Sequence, residues 1–157
     1  MNNKDKLIED CRYYENEFPE EGSLVMCKNI ETEDECSYEQ VELLEYNKFQ
    51  GLVVSECARR RKVRKWRKPQ VGKEVARRII RVDKYQGYID LSKKDIKAEE
   101  NKDIQEKYNN SVHVHNIMKS IAMKIGEVKL ENLYTLFGWK LYKDYTHAIE
   151  AFKIIST

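Results

Sequence analysis

Two stretches decide the fold of this chain: GLVVSECARRRKVRKWRK at residues 51–68 and IRVDKYQGYIDLSKK at residues 80–94. The first begins as a short apolar strand and then becomes strongly basic, with eight Lys or Arg side chains among the ten residues 59–68. The second has the pattern of a strand, a turn at Gln86-Gly87 and another strand. Segregated positive charge of this kind attracts polyanions.

Strand patterns recur on both sides of these stretches. We expect strands at 23–30, 37–46, 51–55, 75–83 and 87–92, with a basic loop at 57–70 between the third and the fourth. On the second strand, Glu39, Val41, Leu43 and Glu45 should share one face because side chains alternate along a strand. Five short strands with one long connection predict a five-stranded OB-fold at residues 18–92, a small β-barrel.

The pattern becomes helical after Ser92. Residues 97–108 are highly charged, Asn109-Asn110 is expected to break the run, and Ser111 is expected to cap the next helix. An apolar stripe from Val114 to Ile125 predicts that helix, with Gly126 at its end. A short helix should end at Gly138, and Thr146 should cap the last one. We therefore predict β barrel plus α: an N-terminal segment 1–17, the barrel 18–92 and a small all-α helical domain 93–157.

Composition narrows the class of protein. Hydrophobic residues make up 41% of the 157 residues, and the net charge is only +2. The four cysteines form no CxxC pair, so reduced thiols are expected rather than a zinc site. No apolar run approaches the roughly 20 residues that span a bilayer, and the start MNNKDKLIED contains no apolar signal segment. We expect a cytoplasmic protein without membrane contact.

The basic loop is the main candidate binding site. OB barrels bind single-stranded nucleic acid through basic grooves and aromatic platforms, and Arg pairs bidentately with phosphate. We expect RNA to contact Arg59, Arg60, Arg61, Lys62 and Arg64. A solvated loop without a specific partner, or a nuclear-import-like patch, remains the alternative.

Several ordered blocks resemble the alpha subunit of eukaryotic translation initiation factor 2. They include CRYY at 11–14, FPE at 18–20, LLEYN at 43–47, the SE-x-x-RRR core at 55–61 and IRVDK at 80–84. The resemblance implies a non-enzymatic factor without cofactor, whose partners are messenger RNA, initiator transfer RNA and the small ribosomal subunit. It also implies beta and gamma subunits as partners if the natural chain continues past Thr157 into the family's third domain.

Ala58 stands where the resembled family carries its regulatory serine. Without a hydroxyl it cannot accept phosphate, so a family kinase with radiolabelled ATP should not label residues 55–62. Gly87, Tyr88, Ile89 and Asp90 match the element onto which the family's kinases dock. The alternative is that Gly87 serves the turn and the others are ordinary strand residues.

Three functions remain open on the sequence alone. The first is a translation initiation factor that lacks this control, whether by natural loss or by deliberate substitution. The second is a pseudosubstrate decoy that occupies the alpha-subunit kinases, and the third is a generic OB-type RNA-binding module. We expect no metal site, because His113 and His115 are two residues apart and would point to different sides of a helix. We find no catalytic constellation.

Overall fold

A computed structural model describes residues 9–30, 38–54 and 71–156. The basic loop, Ala58 and the predicted RNA ligands Arg59, Arg60, Arg61, Lys62 and Arg64 lie outside these residues. The chain divides into two compact units. The barrel unit comprises Phe18–Leu44 and Lys48–Gln105, and the helical unit comprises Met1–Glu17, Glu45–Asn47 and Glu106–Thr157. Residues 93–105 are thus counted with the barrel rather than with the predicted helical segment 93–157, and Glu45–Asn47 with the helical unit rather than with the predicted barrel.

Five strands close into a barrel, which confirms the predicted OB-fold. The strands are β1 (Leu24–Asn29), β2 (Tyr38–Leu43), β3 (Phe49–Val54), β4 (Glu74–Asp83) and β5 (Tyr88–Ser92). They neighbour one another in the order β1-β2-β3-β5-β4, and β4 pairs with β1 to complete the circle. All pairs are antiparallel except β3 with β5. Closure leaves no free sheet edge.

The barrel interior is filled by alternate residues of every strand, as a small barrel requires. Its buried apolar side chains include Val25, Cys27, Val41, Leu43, Val53, Ile79, Ile89 and Leu91. The predicted inner face of β2 is confirmed for Glu39, Val41 and Leu43, each at most 1% exposed, whereas Glu45 lies beyond the strand and is buried in the helical unit. The strand stops at Leu43, and a 3₁₀ turn spans Leu44–Tyr46.

The β4–β5 hairpin is held by its own turn residues. The carboxylate of Asp83 accepts hydrogen bonds from the N–H groups of Tyr85 and Gln86, both at 3.1 Å. The N–H of Gly87 then bonds to the carbonyl of Asp83 at 2.8 Å. Gly87 has φ +74°, a conformation that a residue without Cβ adopts readily.

The first helix corrects one prediction. Helix α1 runs without interruption from Ala98 to Ile125, so Asn109-Asn110 does not break it and Ser111 is not a cap. Asn lowers helix propensity by only about 0.7 kcal/mol, which tertiary packing overrides. Ser111 is fully buried, and its hydroxyl bonds to Tyr14 and His147. Gly126 ends the helix with φ +86°, as predicted.

Gly138 and Thr146 are two further corrections. Helix α2 (Leu130–Leu133) continues through a π-helical turn, Tyr134–Gly138, into α3 (Trp139–Asp144), so Gly138 does not end a helix. Glycine is needed there for space, because an added Cβ would lie 2.7 Å from Cδ1 of Tyr134. Helix α4 (Ala148–Ser156) is preceded by His147, whose Nδ1 accepts a bond from the N–H of Ile149 at 3.1 Å. His147, not Thr146, therefore caps α4.

The helical unit has its own core. Its buried apolar cluster includes Cys11, Val114, Met118, Ala122, Leu130, Leu133, Tyr134, Trp139, Ala148 and Ile149. Three positions of the predicted stripe on α1, Val114, Met118 and Ala122, are buried, whereas Ile125 is 58% exposed. Among the described helices, none is both long enough and apolar enough to cross a membrane.

Candidate nucleic-acid interface

The hairpin residues predicted to dock kinases alternate between surface and core. Tyr88 is 58% exposed, Ile89 is 1% exposed and Asp90 is half-buried. Because β5 pairs with both β3 and β4, Ile89 is fixed in the barrel interior and its side chain serves the core. Only Tyr88 and Asp90 present side-chain atoms outward.

A cleft of about 200 Å³ opens beside Tyr88 on the outer surface of the barrel. We call it the Tyr88 cleft; its lining includes Gln40, Gln50, Leu52, Gly87, Tyr88 and Ile89. The two glutamines and Leu52 were not predicted from the sequence as site residues. Strand alternation could have predicted their outward orientation, because Gln50 and Leu52 flank the buried Gly51, and Gln40 flanks the buried Val41.

Buried Glu39 pairs with one cation of the barrel and interacts electrostatically with a second. Its carboxylate forms an ion pair with the ammonium group of Lys93. Burial lowers the pKa of the Arg77 guanidinium, and the charge of Glu39 opposes that shift. A buried carboxylate is tolerated only when it is paired and hydrogen-bonded. The ion pair with Lys93 therefore explains how an acidic residue can occupy the apolar face of β2.

Two further arginines on β4 also meet carboxylates. Arg78 forms an ion pair with Glu100 on α1 and donates to the carbonyls of Gly22 at 2.8 Å and Asp95 at 3.4 Å. Arg81 lies 3.5 Å from Asp83. Arg78 thus links the start of α1 to the barrel, and this explains why residues 98–105 belong to the barrel unit.

A chain of polar side chains, which we call the Ser111 network, runs through the helical unit. His147 Nε2 lies 2.9 Å from the Ser111 hydroxyl, which lies 2.9 Å from the Tyr14 hydroxyl, and Tyr14 donates to Glu45. Since Nδ1 of His147 accepts the Ile149 N–H, the neutral ring carries its proton on Nε2 and donates it to Ser111. Burial, with a contribution from Lys107, lowers the pKa of His147 to about 4, so the ring is neutral at pH 7.

This tautomer decides what the Ser111–His147 pair can do. A general base must take the proton of its serine, whereas here the ring nitrogen facing Ser111 already donates a hydrogen. Ser111 is also fully buried. The geometry therefore gives a structural hydrogen-bond chain.

A second polar group, the His115 network, joins Asp10, His115 and Tyr134. His115 is 2% exposed; its Nε2 donates to the carboxylate of Asp10 and its Nδ1 lies at hydrogen-bond distance from the Tyr134 hydroxyl, each at 2.6 Å. Burial by itself would raise the pKa of Asp10, but the hydrogen bond and charge of His115 outweigh it, aided by Lys119, and the pKa falls to about 2. The network ties the N-terminal segment to α1 and the π-helical turn.

The three histidines are not brought together as a metal site. His113 is exposed, whereas His115 and His147 belong to the two networks above. Within residues 9–30, 38–54 and 71–156, no group of three or more His, Cys, Asp or Glu side chains could hold a metal ion.

The closed barrel and the helical unit define an OB-fold protein with an appended all-α unit. Solved structures agree on this fold. The intact alpha subunit of the archaeal factor aIF2 from Pyrococcus abyssi matches 88% of this chain and 52% of its own, with a TM-score of 0.71 and 23% identity. The alpha-subunit structure of an a/eIF2alpha–aDim2p–rRNA complex from Pyrococcus horikoshii OT3 matches 86% of this chain and 79% of its own, with a TM-score of 0.66 and 21% identity.

Sequence relatives identify the family. The chain is 42% identical to eukaryotic translation initiation factor 2 subunit 1 of Dictyostelium discoideum and 40% identical to the alpha subunit of Arabidopsis thaliana, each over 94% of its length. Over the region that it covers, the chain belongs to the family of initiation factor 2 alpha subunits, which confirms the resemblance. It spans only 44% and 42% of those relatives. No protein-family model matches the chain.

Proposed function

We propose that this chain acts in translation initiation as an alpha-subunit-like factor that binds RNA and catalyses no reaction. The observation that carries the proposal is its identity of about 40% with initiation factor 2 alpha subunits along 94% of the chain. Its partners would be messenger RNA, initiator transfer RNA, the small ribosomal subunit and, in a longer natural chain, the beta and gamma subunits. The cytoplasm is where these partners meet.

Two observations support RNA binding. The Pyrococcus horikoshii alpha subunit, which shares this fold, is described in a complex with ribosomal RNA. On the barrel, Arg77 interacts with Glu39, and Arg78 pairs with Glu100, so their charge is partly neutralised within the protein. We therefore assign the phosphate contacts to the basic loop, and first to Arg59, Arg60 and Arg61.

A non-catalytic role is supported by the buried polar groups. The Ser111–His147 pair has the wrong tautomer for a nucleophile and its base. Burial raises the pKa of Cys11 to about 12, so this thiol is not poised to react as a thiolate. Both groups are accounted for by packing and hydrogen bonding.

The test is the salt dependence of single-stranded RNA binding. Replacing Arg59, Arg60 and Arg61 together by Ala should weaken binding and flatten the slope of log Kd against log salt by about 2, since each lost contact to single-stranded RNA removes about 0.7. The matched control replaces the exposed lysines Lys124, Lys129 and Lys140 by Ala, which lowers the net charge equally. An unchanged slope in the arginine variant, or an equal change in the control, would remove the loop from the RNA interface.

A kinase decoy is the second candidate, favoured by two observations. Ala58 cannot be phosphorylated, and the hairpin that resembles the kinase-docking element presents Tyr88 at the surface. A decoy would inhibit an alpha-subunit kinase competitively against its normal substrate, and an Asp90→Ala variant would lose that inhibition. A factor without decoy activity would leave the kinase rate unchanged at equal concentration with the substrate.

A further inference from the structure

We propose that the Tyr88 cleft binds one base of single-stranded RNA, with the tyrosine ring as its stacking platform and the amides of Gln40 and Gln50 at its edge. This inference rests on the proposed function, because it names a second contact for the same RNA. It adds base recognition on the barrel surface to the phosphate contacts of the basic loop.

The position of the cleft follows from how β3 and β5 meet. The two parallel strands pair at Leu52 with Asp90 and at Val53 with Leu91. The cleft lies at Gln50 and Tyr88, two residues before the first of these pairs on each strand. It therefore opens at the start of the β3–β5 ladder, with β2 supplying Gln40 on the other side of β3.

The chemistry of the lining selects the ligand class. None of the described residues that line the cleft is charged. An anion or a cation would lose its hydration there without gaining a counter-charge. A neutral heteroaromatic base fits better, because a primary amide both donates and accepts hydrogen bonds and an aromatic ring stacks on any base. Leu52 adds apolar contact.

Tyr88 is suited to stacking by its exposure. Its side chain is 58% exposed while its neighbour Ile89 is fixed in the core at 1%, so the ring is available on a rigid strand. Gly87, which has no side chain, lines the cleft next to it. A tyrosine has only two side-chain torsions, so little conformational entropy is lost when the ring is ordered by binding.

The sequence that follows strand β3 favours RNA over a protein partner. Strand β3 ends at Val54, and the chain continues into residues 59–68 with their eight basic side chains. An uncharged base site on the strand that leads into a basic segment matches single-stranded RNA, whose neutral bases are carried on a charged phosphate backbone. A kinase docking on the same surface is the competing occupant and becomes an outcome of the test.

The experiment is a binding cycle with two short oligoribonucleotides, one intact and one in which abasic riboses replace the bases. Base removal should weaken binding to the wild-type chain about tenfold more than binding to Tyr88→Ala, because stacking on an aromatic side chain accounts for that factor. Tyr88→Ala should leave the salt slope unchanged, since stacking releases no counterions. Tyr88→Trp should retain the base-dependent binding.

Tyr85→Ala is the matched control. Tyr85 is fully exposed, three residues from Tyr88, and does not line the cleft. The Tyr85→Ala variant should bind both oligonucleotides with the wild-type affinities. Circular dichroism and the melting temperature of each variant verify that the barrel is intact.

Three results would overturn the inference, and they are distinguishable. If the wild-type chain binds neither oligonucleotide, the proposed function fails together with the cleft. If the wild type binds but Tyr88→Ala behaves like Tyr85→Ala, the cleft fails while RNA binding by the loop stands. If Tyr88→Ala loses binding to a kinase domain but keeps base-dependent RNA binding, the cleft is a protein-docking surface.

Discussion

Individual buried polar residues hold this molecule's two units in defined conformations. Glu39, Glu45, Ser111 and His115 are each at most 2% exposed, and each has a hydrogen-bonding or charged partner. Strand alternation correctly places Glu39 on the apolar face of β2, whereas Glu45 lies in the turn that follows the strand. The sequence could not name their partners, because Lys93 and Tyr14 are 54 and 31 residues away along the chain.

Ser111 offers the sharpest test of the Ser111 network. Ser111→Ala should reduce the free energy of unfolding by about 1–3 kcal/mol, because the Nε2–H of His147 is left without its acceptor in a buried site. The measurement is urea unfolding at pH 7. Ser120→Ala is the control: Ser120 is exposed on the same helix and donates to the carbonyl of Asn116, so its change should stay within about 0.5 kcal/mol. Equal effects at both positions would contradict the network.

The lowered pKa of Asp10 leads to a prediction of how the stability of the protein changes in acid. Its folded pKa is about 2, below the ordinary 3.8, so the folded state binds this proton less tightly than the unfolded chain does. The stabilisation is therefore fully present above pH 3.8 and is lost as the pH falls through about 2. The wild type should lose its stability advantage over Asp10→Asn in that window.

The measurement for Asp10 is the free energy of unfolding at several values of pH from 6 to 2 for both chains. Asn keeps an oxygen that can accept from His115, so the comparison isolates the carboxylate charge. A stability difference that stays constant over the whole range would contradict the lowered pKa of Asp10 in the folded state.

At the scale of elements, the strands were easier to predict than the helices. Alternation and turn residues fixed the strands to within a few residues, since a barrel strand repeats its pattern every two positions. Helix α1 was predicted as two pieces because Asn109-Asn110 and Ser111 are ordinary cap and turn residues. The signal that decides the matter, the bonds of Ser111 to Tyr14 and His147, is tertiary and invisible in a local window.

Continuity of α1 leads to a prediction at Asn109, an exposed position in the middle of the helix. Asn109→Pro should cost about 3 kcal/mol or more, because proline removes a helical hydrogen bond and clashes with the preceding turn. Asn109→Ala should instead stabilise by about 0.5 kcal/mol through helix propensity. Thermal unfolding of the two variants tests both signs. A tolerated proline would mean that a helix begins near this residue.

On the scale of the whole molecule, the fold class and the family could be predicted from the sequence, whereas the Tyr88 cleft could not. The ordered blocks from Cys11 to Lys84 identify the family without any structure. The cleft depends on β3 lying beside β5, and non-sequential parallel pairing has no local sequence pattern. The same pairing explains why position 51 is a glycine, since an added Cβ would lie 2.5 Å from Cδ1 of Leu91 on β5.

The most direct test of the proposed role is recovery of the tagged chain from its native cells, followed by identification of what co-purifies. We predict small ribosomal subunits and the RNA of initiation complexes, lost in the variant with Arg59, Arg60 and Arg61 changed to Ala and retained in the matched lysine variant. Recovery of an alpha-subunit kinase without ribosomal subunits or RNA would contradict the account and identify the chain as a decoy.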